Sequence, residues 1–163
     1  MRTSHLYPVV LGVAGVQSAY FWSRLPARIA THDGVGGEPN GWMSRPGLFL
    51  FYFALLAFLT VVFLGVGALT RVLPASLVNM PNRQFWLAPE RRAGTVRVLS
   101  AMTQEVGLLA LVMVVALQQI AFQANLGPHP TLPGAIFWPV FVAFNVYVVA
   151  WLVRFYRRFR LPA

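Results

Sequence analysis

Four stretches of this chain are almost wholly apolar, and polar, glycine- and proline-rich segments separate them. The stretches run over about residues 6–22, 46–69, 101–122 and 134–153. Each has the length an α-helix needs to cross ~30 Å of hydrocarbon at 1.5 Å per residue. Residues 48–68 hold no charge at all. The first stretch could be misread as a signal peptide behind Arg2. Gln17, Tyr20, Phe21 and Trp22, however, stand where small cleavage-site residues belong. The pattern predicts an all-α fold, a four-transmembrane-helix antiparallel bundle, as a single domain over residues 1–163.

The connections differ in character. The first, residues 23–45, is rich in Gly and Pro and reads as a tight, turn-rich loop. The second, residues 70–100, is the longest. It is irregular through Pro89, and from Glu90 it can continue helically into the third span. Pro89 suits a first helical turn, and Glu90 favours the positive end of a helix dipole. The third, residues 125–133, is short and holds three prolines.

Composition strengthens the membrane reading. Of 163 residues, 58% are hydrophobic and 10% charged, with mean hydropathy +0.64. A soluble chain this short could not hide that much apolar surface. The net charge of +9 would by itself suggest nucleic acid. All 13 basic residues are Arg, however, and they sit at the ends of apolar stretches, as topology determinants do. Nucleic acid is therefore not an expected partner. With the N-terminus inside, one side of the bilayer holds Arg2, Arg71, Arg83, Arg91, Arg92, Arg97, Arg154, Arg157, Arg158 and Arg160. The other holds Arg24, Arg28 and Arg45. That bias of 10 to 3 predicts N-in/C-in. Tyr20, Phe21, Trp22, Trp42, Trp138, Trp151 and Tyr156 cluster near the span ends, as amphipathic rings do at headgroup depth. The chain has no Cys, so disulfides, thiolate metal sites and Cys nucleophiles are excluded.

Polar groups inside spans mark the interior of a bundle. The third span carries Thr103, Gln104, Glu105, Gln118, Gln119 and Gln123; the others carry Gln17, Thr60 and Asn145. Glu105 is the only carboxylate in a span. It is either a proton or ion relay or a ligand anchor, or else the partner of an interfacial Arg such as Arg97, Arg71 or Arg154. The outer glutamines either bond across helices or line a wet cleft facing the outer loop. Gly12, Gly15, Ala19, Gly65 and Gly67 permit close helix approach.

Two loops carry a patterned signature. The first contains Leu25-Pro26, His32, a Gly turn, Pro39-Asn40-Gly41-Trp42 and Ser44-Arg45. The second reads Asn79-Met80-Pro81-Asn82-Arg83-Gln84-Phe85-Trp86-Leu87, followed by Pro89-Glu90-Arg91-Arg92. Together they resemble a bacterial multi-pass membrane family of unassigned function, over about residues 8–123. That family shares its domain with the Sdp toxin-immunity protein SdpI. In one departure, Asp33 and Gly34 follow His32, where the family usually has an aromatic and then Asp or Asn. The resemblance implies a bacterial cytoplasmic (inner) membrane location. Its best-known members protect against a secreted toxic peptide and help signal its presence.

These features predict a non-enzymatic protein that binds a ligand or partner through its loops. The residues concerned are His32, Glu38, Pro39, Asn40 and Trp42 outside, and Asn82, Arg83, Trp86, Glu90 and Arg91 inside. Beyond the lipid bilayer, the partner is a peptide ligand or a protein in a membrane complex. The alternative is an accessory or structural subunit of such a complex. No cofactor is expected. His32, Asp33, Glu38 and His129 offer N and O donors suited to zinc, but they lack the dense spacing of a zinc-protease helix. No serine has triad context, and the Gly34–Gly37 turn lacks the lysine and helix of a phosphate loop.

Overall fold

The computed structural model of the chain describes residues 3–34 and 38–162, without the side chain of Asp33. Arg2, counted above for orientation, and Gly36 and Gly37 of the first loop lie outside the described residues. The fold is mostly helical. A 3-10 turn (Thr3–Leu6) runs straight into helix α1 (Tyr7–Trp22). Two strands follow, β1 (Arg28–Asp33) and β2 (Pro39–Ser44). Then come α2 (Arg45–Val72), a short helix α3 (Arg83–Trp86), α4 (Pro89–Ala124) and α5 (Gly134–Arg158). Three of these, α2, α4 and α5, are long and apolar enough to cross a membrane.

Local chemistry sets the helix ends. Ser44 is extended, and its hydroxyl accepts from the Gly47 amide at 3.2 Å to cap α2. Leu73, extended ahead of Pro74, stops α2. Ala88 is likewise extended ahead of Pro89, which opens α4. Helix α4 thus begins 12 residues before the apolar stretch that starts near residue 101. Its first turns, with Glu90, Arg91, Arg92 and Arg97, form a polar extension at one end of the bundle.

The four long helices pack side by side and alternate in direction. Gly67 of α2 lies on Ser100 of α4, and Phe49 stacks on Phe122, so α2 and α4 are antiparallel. Tyr7 reaches the Gln104 carbonyl and Gln17 the Val115 carbonyl, so α1 runs parallel to α4. Trp151 bonds the Met102 carbonyl at 3.0 Å and Tyr147 bonds the Glu105 carboxylate, so α5 is antiparallel to α4. Helix α4 is the element all the others touch. Three apolar clusters lie along it. Phe21, Ile29, Phe49 and Phe122 fill the hairpin end, Tyr7, Tyr52, Leu56 and Leu111 the middle, and Val78, Met80, Leu99 and Phe159 the tail end. Large apolar side chains such as Leu50, Phe58, Val61 and Val146 face outward. A water-facing surface would not carry that much hydrocarbon.

The first loop corrects the all-α expectation. It is an antiparallel β-hairpin, with Arg28 opposite Ser44, Ile29 opposite Met43 and Ala30 opposite Trp42. An irregularity at Thr31 then puts His32 opposite Gly41. A Cβ on Gly41 would stand 2.9 Å from His32 Nδ1 and 3.0 Å from its Cβ. Only glycine there lets the His32 ring lie across the opposite strand. The hairpin base is tied by the Arg45 guanidinium, which bonds the Leu25 carbonyl at 2.8 Å and covers the Trp22 ring.

The expected small-residue contacts are also revised. Nothing stands within 4 Å of a Cβ built on Gly12, Gly15 or Gly65. The close approaches are at Gly67, against Ser100, and at Gly107, against Phe63 and Tyr7.

Candidate functional site

A cleft of ≈ 870 Å³ opens at the hairpin end of the bundle. Its roof is Ala30, Thr31, His32 and Gly34 of the hairpin. Its walls are Leu55 of α2, Val114, Leu117, Gln118 and Ala121 of α4, Leu132 just before α5, and Phe137 and Trp138 at the start of α5. The volume lies in the range of small-ligand pockets, and the lining is mainly apolar. Gln118 lines the cleft, and its amide nitrogen is buried with no hydrogen-bond partner among the described residues. An unpaired buried donor is costly, so it has affinity for any acceptor brought within reach.

Asn125, at the end of α4, holds the roof in place. Its Oδ1 accepts from the Ala30 amide at 2.8 Å, and its Nδ2 donates to the Ala30 carbonyl at 3.0 Å. The same Nδ2 also donates to the Ala121 carbonyl at 2.9 Å. The side-chain amide thus pairs with the free edge of β1 as a third strand would.

A buried polar cluster lies below the cleft. Tyr52 donates to Gln17 Oε1 at 2.8 Å, and Gln17 Nε2 donates to Gln119 Oε1 at 2.9 Å and to the Val115 carbonyl at 3.1 Å. The two readings of the outer glutamines therefore divide by residue. Gln17 and Gln119 bond across helices, whereas Gln118 faces a cleft. Gln123 is exposed.

The residues singled out in the first loop do not gather into one site. His32 reaches the cleft rim, where its Nδ1 lies 3.2 Å from Thr31 Oγ1. Glu38 and Asn40 are exposed, Pro39 is half-buried, and none of them lines the cleft. Trp42 is exposed on the hairpin, with the Arg28 guanidinium 5.8 Å from its ring. His129 is exposed in the loop before α5. Among the described residues, no three of His, Asp and Glu come together as a metal site; the Asp33 side chain lies outside that set.

The residues singled out in the second loop are engaged mainly with their own chain. Asn82 adopts a left-handed backbone (φ 50°), which opens α3. Its Nδ2 and Trp86 Nε1 both donate to the Phe159 carbonyl at 2.9 Å, clasping the end of α5. Arg83 bonds the Ser76 carbonyl at 2.8 Å, and Arg91 covers the Phe85 ring. Arg92 reaches the Leu73 carbonyl at the end of α2. Glu90 is exposed in the first turn of α4. Trp86→Phe removes one of the two donors to Phe159 at a cost of about 1 kcal/mol. Tryptic cleavage at Arg157 or Arg158 in detergent should then run about fivefold faster. Unchanged cleavage would mean that the clasp holds nothing.

Glu105 takes Arg154 as its partner at 2.6 Å and also accepts from the Tyr147 hydroxyl, which joins α4 to α5. Both members of the pair remain part-exposed. Asn145 lies on the outward face of α5, and among the described residues it bonds only the Phe141 carbonyl of its own helix, at 2.8 Å.

Residues 9–56 match the model of a family described as a domain of unknown function (DUF1648). The match spans most of α1, the whole hairpin and the first part of α2, and it does not reach the second loop's signature. No curated protein and no solved structure matches this chain.

Asn125 and Gly107 escaped the sequence reading, because neither belongs to a motif and each matters only for what lies against it. Gln118 was visible as a polar residue in an apolar stretch.

Proposed function

We propose that this chain is a non-enzymatic, four-span protein of a bacterial inner membrane, of the immunity or sensing type, and that it takes an amphipathic peptide into the hairpin-end cleft. One observation supports the reading: an apolar cleft lined by Gln118, whose buried amide nitrogen has no partner among the described residues, under a hairpin roof. Such a site suits an apolar segment that ends in an exposed carbonyl or amide. Its ≈ 870 Å³ has room for a few apolar side chains, so the site would grip one end of a peptide.

The four-span part draws on α1. Together with the turn before it, α1 is helical from residue 3 to 22, long enough to cross ~30 Å. Its direction also fits the alternation of the other three helices. The arginine bias puts the tail end in the cytoplasm and the cleft outside. The two signature loops and their resemblance to the Sdp immunity family supply the biological class.

The test uses cells killed by a secreted amphipathic helical peptide, with and without this chain. Expression should protect them. Ala121→Trp, which fills the cleft, should reduce protection at least tenfold, and Gln118→Leu should reduce it less. Trp42→Ala, outside the cleft, should leave it intact. Protection indifferent to Ala121→Trp would sink the cleft reading, and no protection by the unaltered chain would sink the immunity reading.

A further inference from the structure

Helix α5 has no buried residue along its whole length. It touches α4 through Tyr147, Trp151 and Arg154. The opposite face is free, and its sequence is ordered. Trp138, Val142, Asn145, Val149, Leu152 and Tyr156 are spaced four, three, four, three and four residues apart. That is the a/d repeat of a left-handed helix pair. All six positions are exposed, and a shallow groove of ≈ 310 Å³ runs along Val142, Asn145 and Val149.

Asn145 lies roughly 17 Å along the helix from Gly134, at 1.5 Å per residue, well inside the apolar segment. Its nitrogen donates to the Phe141 carbonyl of its own helix. No other bond reaches its side chain among the described residues, so its carbonyl oxygen faces hydrocarbon. An amide so placed needs a partner, and nothing else among the described residues reaches this face.

We propose that α5 is a self-association helix, and that two copies of the chain pair along this seam with Asn145 facing Asn145. A second copy is the occupant that fits. Every copy inserts with the same topology, so two α5 helices related by a two-fold axis along the membrane normal are parallel. Their amides then meet at one depth, each offering both a donor and an acceptor. One polar position in an otherwise apolar a/d seam fixes register and partner number. In lipid the valines and Leu152 contribute packing alone, and the amide pair supplies the directional bond.

The chain has no Cys, so single cysteines report the contact directly in native membranes. Val142→Cys and Val149→Cys should form disulfide-linked homodimers on oxidation. Ala143→Cys and Ala150→Cys, exposed but off the seam, should not. Adding Asn145→Leu to Val142→Cys should weaken dimerisation about three- to thirtyfold, the range of one interhelical hydrogen bond in lipid. Asn145→Gln should restore most of it, which a folding defect would not allow. The proposal is overturned by equal cross-linking at all four positions, by none at Val142 and Val149, or by an adduct with a different protein instead of the homodimer. Dimerisation unaffected by Asn145→Leu would overturn the amide pair as its basis.

Discussion

Gly107→Ala should destabilise this protein strongly, although alanine is the better helix former. Propensity alone favours alanine over glycine by about 1 kcal/mol in a helix interior. Packing opposes it. A methyl group at Gly107 would collide with Cβ and Cγ of Phe63 on α2 and stand 2.5 Å from the Tyr7 hydroxyl of α1. The Cβ of Phe63 is fixed to its backbone, so no rotamer change relieves the clash and the helices must separate. Tyr7 is almost wholly buried, and its hydroxyl holds the Gln104 carbonyl at 2.9 Å. Separation therefore also strains the bond that ties α1 to α4. Overpacking of this kind costs about 1–3 kcal/mol, and Phe63 and Tyr7 together place this site at the upper end. The expected loss is about 5–10 °C in thermal unfolding followed in detergent. Gly65→Ala is the control. Nothing lies within 4 Å of its Cβ, so propensity acts alone and the variant should match or exceed the parent. A Gly107→Ala variant as stable as Gly65→Ala would show that α2 and α4 do not approach closely at this point.

That contrast marks where the sequence can be read and where it cannot. Apolar runs of membrane length announced the four long helices to within a few residues at most ends, because desolvation of the backbone is a property of each segment by itself. The arginines and Pro89 foretold the polar start of α4 for the same local reason. The hairpin did not show. Its strands are six residues each, one of them begins with Pro39, and glycines between them suggested loop. What makes it a hairpin is tertiary: Leu25 and Ile29 buried against Phe122, and Gly41 seating His32. The glycines teach the same lesson. Gly12, Gly15, Gly65, Gly67 and Gly107 look alike as letters, and only the neighbouring helix distinguishes the two that are needed. Glu105 was legible as a choice among three arginines, and the antiparallel pairing of α4 and α5 selected Arg154. The second-loop signature of Asn82 and Trp86 was legible as a motif. Its visible role, holding the Phe159 carbonyl, depends on a residue 77 and 73 positions away.

The hairpin roof leads to the second large effect. Asn125→Asp should release it, although aspartate has nearly the same shape. Oδ1 can still accept from the Ala30 amide. The other atom becomes an oxygen facing the carbonyls of Ala30 and Ala121, where the asparagine donates at 3.0 and 2.9 Å. Two hydrogen bonds are replaced by two repulsive contacts in a site that is only 5% exposed. Either the carboxylate takes up a proton to restore a donor, or β1 moves away. Asn125→Leu fills the space but leaves both the Ala30 amide and carbonyl unpaired. Each substitution should cost about 2–4 kcal/mol, from the loss of two or three bonds and the orphaning of buried groups. The cost falls on the hairpin and not on the bundle, because the packing of α1, α2 and α4 below it is untouched. Hydrogen exchange separates the two outcomes. The Ala30 amide should exchange about thirtyfold to a thousandfold faster in either variant, as 1.4 kcal/mol is a factor of ten, while amides in the middle of α4 keep their protection. If Ala30 stays protected, the roof is held by Leu25 and Ile29 alone. If amides throughout α4 exchange faster as well, Asn125 stabilises the whole bundle, and the cleft cannot open without unfolding what lies beneath it.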